Sequence, residues 1–106
     1  MNNKVLTLLG FASKAGKLGF GMQSATESIK KDKACLIVTA SDVSEKTKKE
    51  ISFFAHNKNI PVFILNDVTI EKLSMSVGRK CGVIAVIDDG FADVISKILG
   101  GCAHDQ

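Results

Sequence analysis

Apolar residues recur along the chain in two rhythms, and the alternation between them outlines the fold. Val5, Leu8, Leu9 and Ala12 stand at i, i+3, i+4 and i+7, one face of a helix near the N-terminus. Met22, Ala25 and Ile29 mark a second helix. A third, over 44–57, aligns Thr47, Ile51, Phe54 and Ala55, with Asp42 or Ser44 available as N-cap and Pro61 closing the connection after it. Ile70, Leu73 and Val77 give a fourth, over 69–77, that ends at Gly78. Phe91, Val94, Ile95, Ile98 and Leu99 form the cleanest stripe, which Gly100-Gly101 is expected to end, leaving 100–106 as a frayed tail. Between these helices lie three short runs, 35–40, 62–65 and 83–87, that are apolar without alternation. Strands of that kind are buried on both sides and need helices above and below. With one short strand ahead of the second helix, the order is helix, strand, helix, repeated to a final helix. It predicts the α/β class: a three-layer α/β/α sandwich around a mixed sheet of roughly four strands.

Composition narrows the function more than the fold. At 106 residues the chain fits a single domain, 1–106. Neither repeats nor linkers interrupt it. A net charge of +3 and a pI near 8.8 permit an RNA partner without demanding one. Of the 14 basic residues only Arg79 is an arginine, so bidentate guanidinium recognition has one candidate. With no Trp or Tyr and six Phe, bases stacked across an aromatic sheet are not expected. Cys35, Cys81 and Cys102 share no C-x-x-C spacing, which indicates neither a disulfide framework nor a zinc site and suggests a reducing compartment. The apolar stretch after Lys4 contains Thr7 and Gly10 and runs into Lys14 and Lys17, unlike a signal peptide, and no apolar run approaches the ~20 residues of a membrane span. A cytoplasmic protein is expected.

Most candidate chemistries fail on spacing. Gly10 and Gly16 are one residue too far apart for a Walker loop, and Leu18 stands where a magnesium-binding hydroxyl belongs. A dinucleotide fingerprint from Gly19-Phe20-Gly21 meets Ser24 instead of its third glycine. His56 lies in a helical pattern and His104 in the tail, neither beside a nucleophile; Cys102 and His104 alone make no closed metal site. Cys35 and Cys81 read as small core residues, Asp88-Asp89 as helix capping, and 45–50 as a solvated face with Lys46 and Glu50 one turn apart. No catalytic residue, metal or cofactor is therefore predicted. Two basic, glycine-rich segments remain. One runs from Lys14 and Lys17 to Gly21 and the start of the second helix; the other is Arg79-Lys80-Cys81 between Gly78 and Gly82. In an alternating layout both can lie at one end of the sheet, presenting backbone N–H groups and cations to a nucleic-acid backbone. A plain tight turn onto a helix and a connecting turn that is basic for solubility explain them as well.

From Ala12-Ser13-Lys14-Ala15-Gly16-Lys17 through Leu36-Ile37-Val38-Thr39-Ala40-Ser41-Asp42-Val43, Asn59-Ile60-Pro61-Val62, Leu73 and Val77-Gly78, the chain resembles the ribosomal protein L7Ae family, which includes the L30e and S12e types and short stand-alone bacterial members. The resemblance implies binding of a kink-turn or similarly bent RNA, in ribosomes or other ribonucleoprotein particles. It places the contacts in a G-x-N-E-x-x-K motif at the start of the second helix, in the acidic turn at Asp42 and in the late loop. Here the motif reads Gly21-Met22-Gln23-Ser24-Ala25-Thr26-Glu27: Gly is kept, while Gln23, Ser24 and Glu27 replace Asn, Glu and Lys. Gln23 keeps an amide and Ser24 a hydroxyl, but Glu27 sets a negative charge where a phosphate partner is expected.

The expectation is a non-enzymatic RNA-binding protein associated with ribosomes or ribosomal RNA, with no membrane or small-molecule substrate. Its RNA-binding residues would be Lys14, Lys17, Gly21, Met22, Gln23, Ser24, Glu27, Asp42, Arg79, Lys80, Cys81 and Gly82. The alternative is a protein-interaction adaptor of the same fold that has lost kink-turn selectivity; a small-molecule enzyme ranks third.

Overall fold

The computed structural model describes residues 2–103, with side chains described over 3–100. Helix α1 (Asn2–Lys14) leads into β1 (Leu18–Phe20) and α2 (Gly21–Lys30), followed by β2 (Leu36–Ala40), α3 (Glu45–Asn57), β3 (Val62–Leu65), α4 (Ile70–Val77), β4 (Val83–Val86) and α5 (Asp89–Ala103). The order is the one the hydrophobic rhythm predicts. Local chemistry sets most boundaries. Ser44 caps α3 by accepting from the Thr47 N–H at 3.1 Å, and Thr69 caps α4 by accepting from Lys72 at 3.1 Å. Gly78 takes the left-handed conformation that ends α4, and Asp32 and Asn59 do the same just beyond α2 and α3. Asp88 Oδ2 accepts from the Phe91 N–H at 2.9 Å and so starts α5, as capping predicts. That helix runs on through both glycines to Ala103, so the expected stop at Gly100 does not occur.

The sheet order is β1-β4-β2-β3, with β4 antiparallel to both β1 and β2 and β2 parallel to β3. Strands β2 and β4 occupy the centre and are buried throughout. Their side chains alternate between two cores. Leu36, Val38, Ala40, Ile84 and Val86 meet α1, α4 and α5 through Val5, Leu9, Leu73 and Ile95. Ile37, Val83 and Ala85 meet α2 and α3 through Ala25, Ile29, Ile51 and Ala55. This is the three-layer sandwich, and the missing alternation in β2 and β4 is explained by apolar cover on both faces. Strand β3 departs from the expectation. It is one of the two sheet edges, only Leu65 is fully buried, and Ile64 is 40% exposed. Its apolar sequence reflects the β-propensity of Val, Phe and Ile more than complete burial.

Candidate nucleic-acid interface

The antiparallel pairing of β1 with β4 decides which segments meet. Phe20 pairs with Ile84, so the first residue of α2, Gly21, arrives beside Val83 and Gly82. Gly21 makes the strand-to-helix turn at φ +87°, a conformation a side chain would strain. Because Phe20 provides no side-chain cap and the first turn carries no acid, the leading N–H groups of α2 are left for an outside acceptor. On the neighbouring strand, the turn after β2 delivers Asp42, Val43 and Ser44 to the same place. A cleft of about 280 Å³ results, lined by Gly21, Met22, Asp42, Val43, Ser44, Thr47, Ile70, Gly82 and Val83. A Cβ on Gly82 would stand only 2.6 Å from Val43 Cγ1, so glycine is what lets the late loop close onto the Asp42 turn. Asp42 was an alternative cap for α3, but its Oδ1 instead accepts from the Ile70 N–H at 2.7 Å, across 28 residues, and fixes the start of α4 to this cleft.

The late loop is held from behind. Ser74 Oγ donates its one proton to the Ile70 carbonyl at 2.6 Å, lies 3.2 Å from the Cys81 carbonyl and accepts from the Cys81 N–H at 3.0 Å, tying the loop to α4. Cys81 turns its side chain into the core at 6% exposure, as its reading as a small core residue requires, so it serves the loop through its backbone. Burial pushes its thiol above the ordinary range, an effect Arg79 opposes. Arg79 and Lys80 remain exposed. The Arg79 guanidinium lies 4.8 Å from the centre of the Phe20 ring, a cation–π contact that aims the only arginine at the α2 end of the cleft.

The motif residues of α2 divide by face. Ser24 turns toward β1, where its Cβ packs over Gly19; Gln23 and Glu27 are exposed, one turn apart, and line a second hollow with Thr26, Lys30 and Lys31. Glu27 is not an isolated charge, since Lys31 approaches it to 3.1 Å. Two of the predicted cations fall elsewhere. Lys17 sits at the far end of β1, where its carbonyl accepts from the Ile87 N–H; four extended residue-to-residue steps, roughly 13 Å, separate it from Gly21. Lys14 lines a groove between α1 and α4, where Ser13 Oγ donates to the Val77 carbonyl at 2.8 Å. The length of β1 therefore sets Lys17 apart from Gly21, whereas the Ser13–Val77 contact holds the end of α1 beside the end of α4, two residues before Arg79.

Other candidates also resolve. His56 is exposed in the last turn of α3, and His104 and the Cys102 side chain lie outside the described residues. Cys35 is partly buried at the margin of the core, and its Sγ donates to Asp89 Oδ1 at 3.0 Å. Within 45–50 the observed pair is Lys48 with Glu45 at 3.3 Å, spaced i, i+3, in place of the expected Lys46 and Glu50. Phe20, Ser74 and Ile70 are the site-forming residues the sequence reading missed. Only Phe20 carried a signal, as an aromatic next to the turn glycine.

The family described as Ribosomal protein L7Ae/L30e/S12e/Gadd45 matches residues 3–96. The chain belongs to this family. Among curated members, an RNA-binding protein YlxQ from Enterococcus faecium is 30% identical over 92% of this chain and 93% of its own length. The large ribosomal subunit protein eL30 of Eremothecium gossypii is 28% identical over 85% of this chain and 87% of its own. A solved structure of a Bacillus halodurans protein of unknown function superposes with a TM-score of 0.84 at 26% identity, covering 89% of this chain and 94% of that one. The family match takes in all four strands and both sides of the cleft.

Proposed function

We propose that the protein binds structured RNA of the ribosome or of a ribosome-associated particle, and that the RNA is bent, as in a kink-turn. The observation that carries this reading is the convergence at one end of the sheet of an uncapped helix N-terminus, the Gly82 loop and the Arg79 guanidinium. Uncapped N–H groups accept phosphate or base oxygens. The exposed Gln23 amide both donates and accepts, which suits base edges. Arg79 and Lys80 attract the backbone of a nucleotide seated against Gly82. The names of the YlxQ and eL30 relatives agree with an RNA partner. The Glu27–Lys31 pair sets a cation 3.1 Å from the carboxylate that replaces the motif lysine, which weakens the repulsion of a phosphate at that turn. The reading is of a binder rather than an enzyme, acting in the cytoplasm. Ultraviolet crosslinking followed by peptide mapping and sequencing of the attached RNA tests it. Crosslinks at 20–24 and 79–82 to one structured RNA are expected; a protein partner copurifying without RNA would transfer the cleft to the adaptor reading.

A further inference from the structure

The groove between α1 and α4 lies in the opposite helical layer from α2 and takes no part in the cleft described above. At its floor the two helices pack closely: a Cβ on Gly10 would stand 3.0 Å from the Ser76 carbonyl oxygen. Its walls carry Phe11 and Met75, which are 56% and 77% exposed, among the largest exposures of any apolar side chain in the described residues. Lys14 and Lys72 complete the rim; among the described residues neither has an ion-pair partner and no carboxylate lines the groove. By contrast Lys31, Lys48, Lys58 and Lys97 each hold a carboxylate. The trough has a volume of about 540 Å³ and extends along α1 from Asn3 to Lys14, roughly 16 Å at helical rise.

We infer that this groove docks an amphipathic helix of a partner protein, one with an apolar stripe flanked by acidic residues. A helix of about three turns matches the groove's length. Phe11 and the flexible, polarisable Met75 supply the apolar anchors. Lys14 and Lys72 supply attraction for flanking carboxylates and repulsion against basic helices. RNA fits less well. Apart from Asn3 in the first turn of α1, the walls are helix flanks, so a phosphate backbone would find two cations and an apolar centre. The inference is independent of the RNA reading, because it uses the other helical layer.

The probe is a synthetic helix of about 16 residues, long enough to be helical in water, with Leu at i, i+4 and i+7 and Glu on both flanks. It is titrated into the isotope-labelled full chain and followed by amide shifts. Shifts at Thr7, Gly10, Phe11 and Ser76 are expected, with affinity reduced roughly tenfold or more by Phe11→Ser with Met75→Ser. Lys14→Glu with Lys72→Glu is expected to exchange the preference to the same peptide carrying Lys for Glu, a result that loss of folding could not produce. Absence of shifts in the groove, equal binding of the Glu and Lys peptides, or groove shifts produced instead by structured RNA or by raising the protein's own concentration would overturn the inference.

Discussion

At Gly82 a single methyl group measures how closely the late loop and the Asp42 turn approach. The Cβ of Gly82→Ala would meet Val43 Cγ1 at 2.6 Å and Ile70 Cγ1 at 3.2 Å, so the cleft must open or the core must shift. A loss of about 1–3 kcal/mol in denaturant unfolding is expected, together with weaker RNA binding. Gly21→Ala is a different case, with open space around the new Cβ and strain from φ +87° alone. Cys35 offers a pH-dependent test on the far side of the molecule. Burial, the hydrogen bond to Asp89 and the charges of Asp89 and Asp88 push its thiol up to about 11 from an ordinary 9.0. Its folded pKa is raised, so its contribution to stability is present below pH 9 and lost as pH rises through 11. Alkylation of Cys35 at pH 8.5, read by peptide mass, is expected to be slower than that of free cysteine and to accelerate in Asp89→Asn. Equal rates in the two proteins would contradict the role given to Asp89.

Among the elements, α4 shows how local and long-range capping divide their work. Thr69 caps it from the adjacent position, whereas Asp42 reaches the Ile70 N–H from the turn after β2. Thr69→Ala and Asp42→Ala are each expected to cost about 1 kcal/mol of stability, but only Asp42→Ala releases the α4 start from the cleft and lowers RNA affinity. Parallel unfolding and binding titrations distinguish the two. The same elements show what was legible in the sequence. Periodicity located all five helices and the buried strands β2 and β4, because apolar side chains there answer to burial. The cap at Ser44, the stop at Gly78 and the start at Asp88 followed from side-chain chemistry confined to a few residues. Two features depended on contacts distant in sequence and were not legible. Helix α5 continues through Gly100, whose position packs near Phe63 of β3, and Asp42 caps the wrong helix for a neighbour-based rule.

Over the whole molecule, the sequence supplied the components of the cleft but not their arrangement. Gly21, Asp42 and Gly82 meet because β4 lies between β1 and β2, an order no local pattern encodes. The same order carries Lys17 to the far end of β1 and leaves Arg79 and Lys80 as the cations of the proposed RNA surface. Each of those two, replaced by Ala, is expected to lower the salt slope of RNA binding by roughly 0.7 to 0.9, while Lys17→Ala and the control Lys49→Ala leave it unchanged. Selectivity is a separate matter from affinity, and it rests on α2. Gln23 is exposed for base contact, Ser24 faces β1, and Glu27 pairs with Lys31, so the chain keeps only part of the G-x-N-E-x-x-K chemistry. The most direct test is the ratio of kink-turn to plain-duplex affinity at one fixed salt concentration, for the wild-type chain and for the triple variant Gln23→Asn, Ser24→Glu, Glu27→Lys. A modest preference for the kink-turn in the wild type, widened by the triple variant, is the predicted result; failure of both proteins to bind either RNA would contradict the assignment of the cleft to RNA.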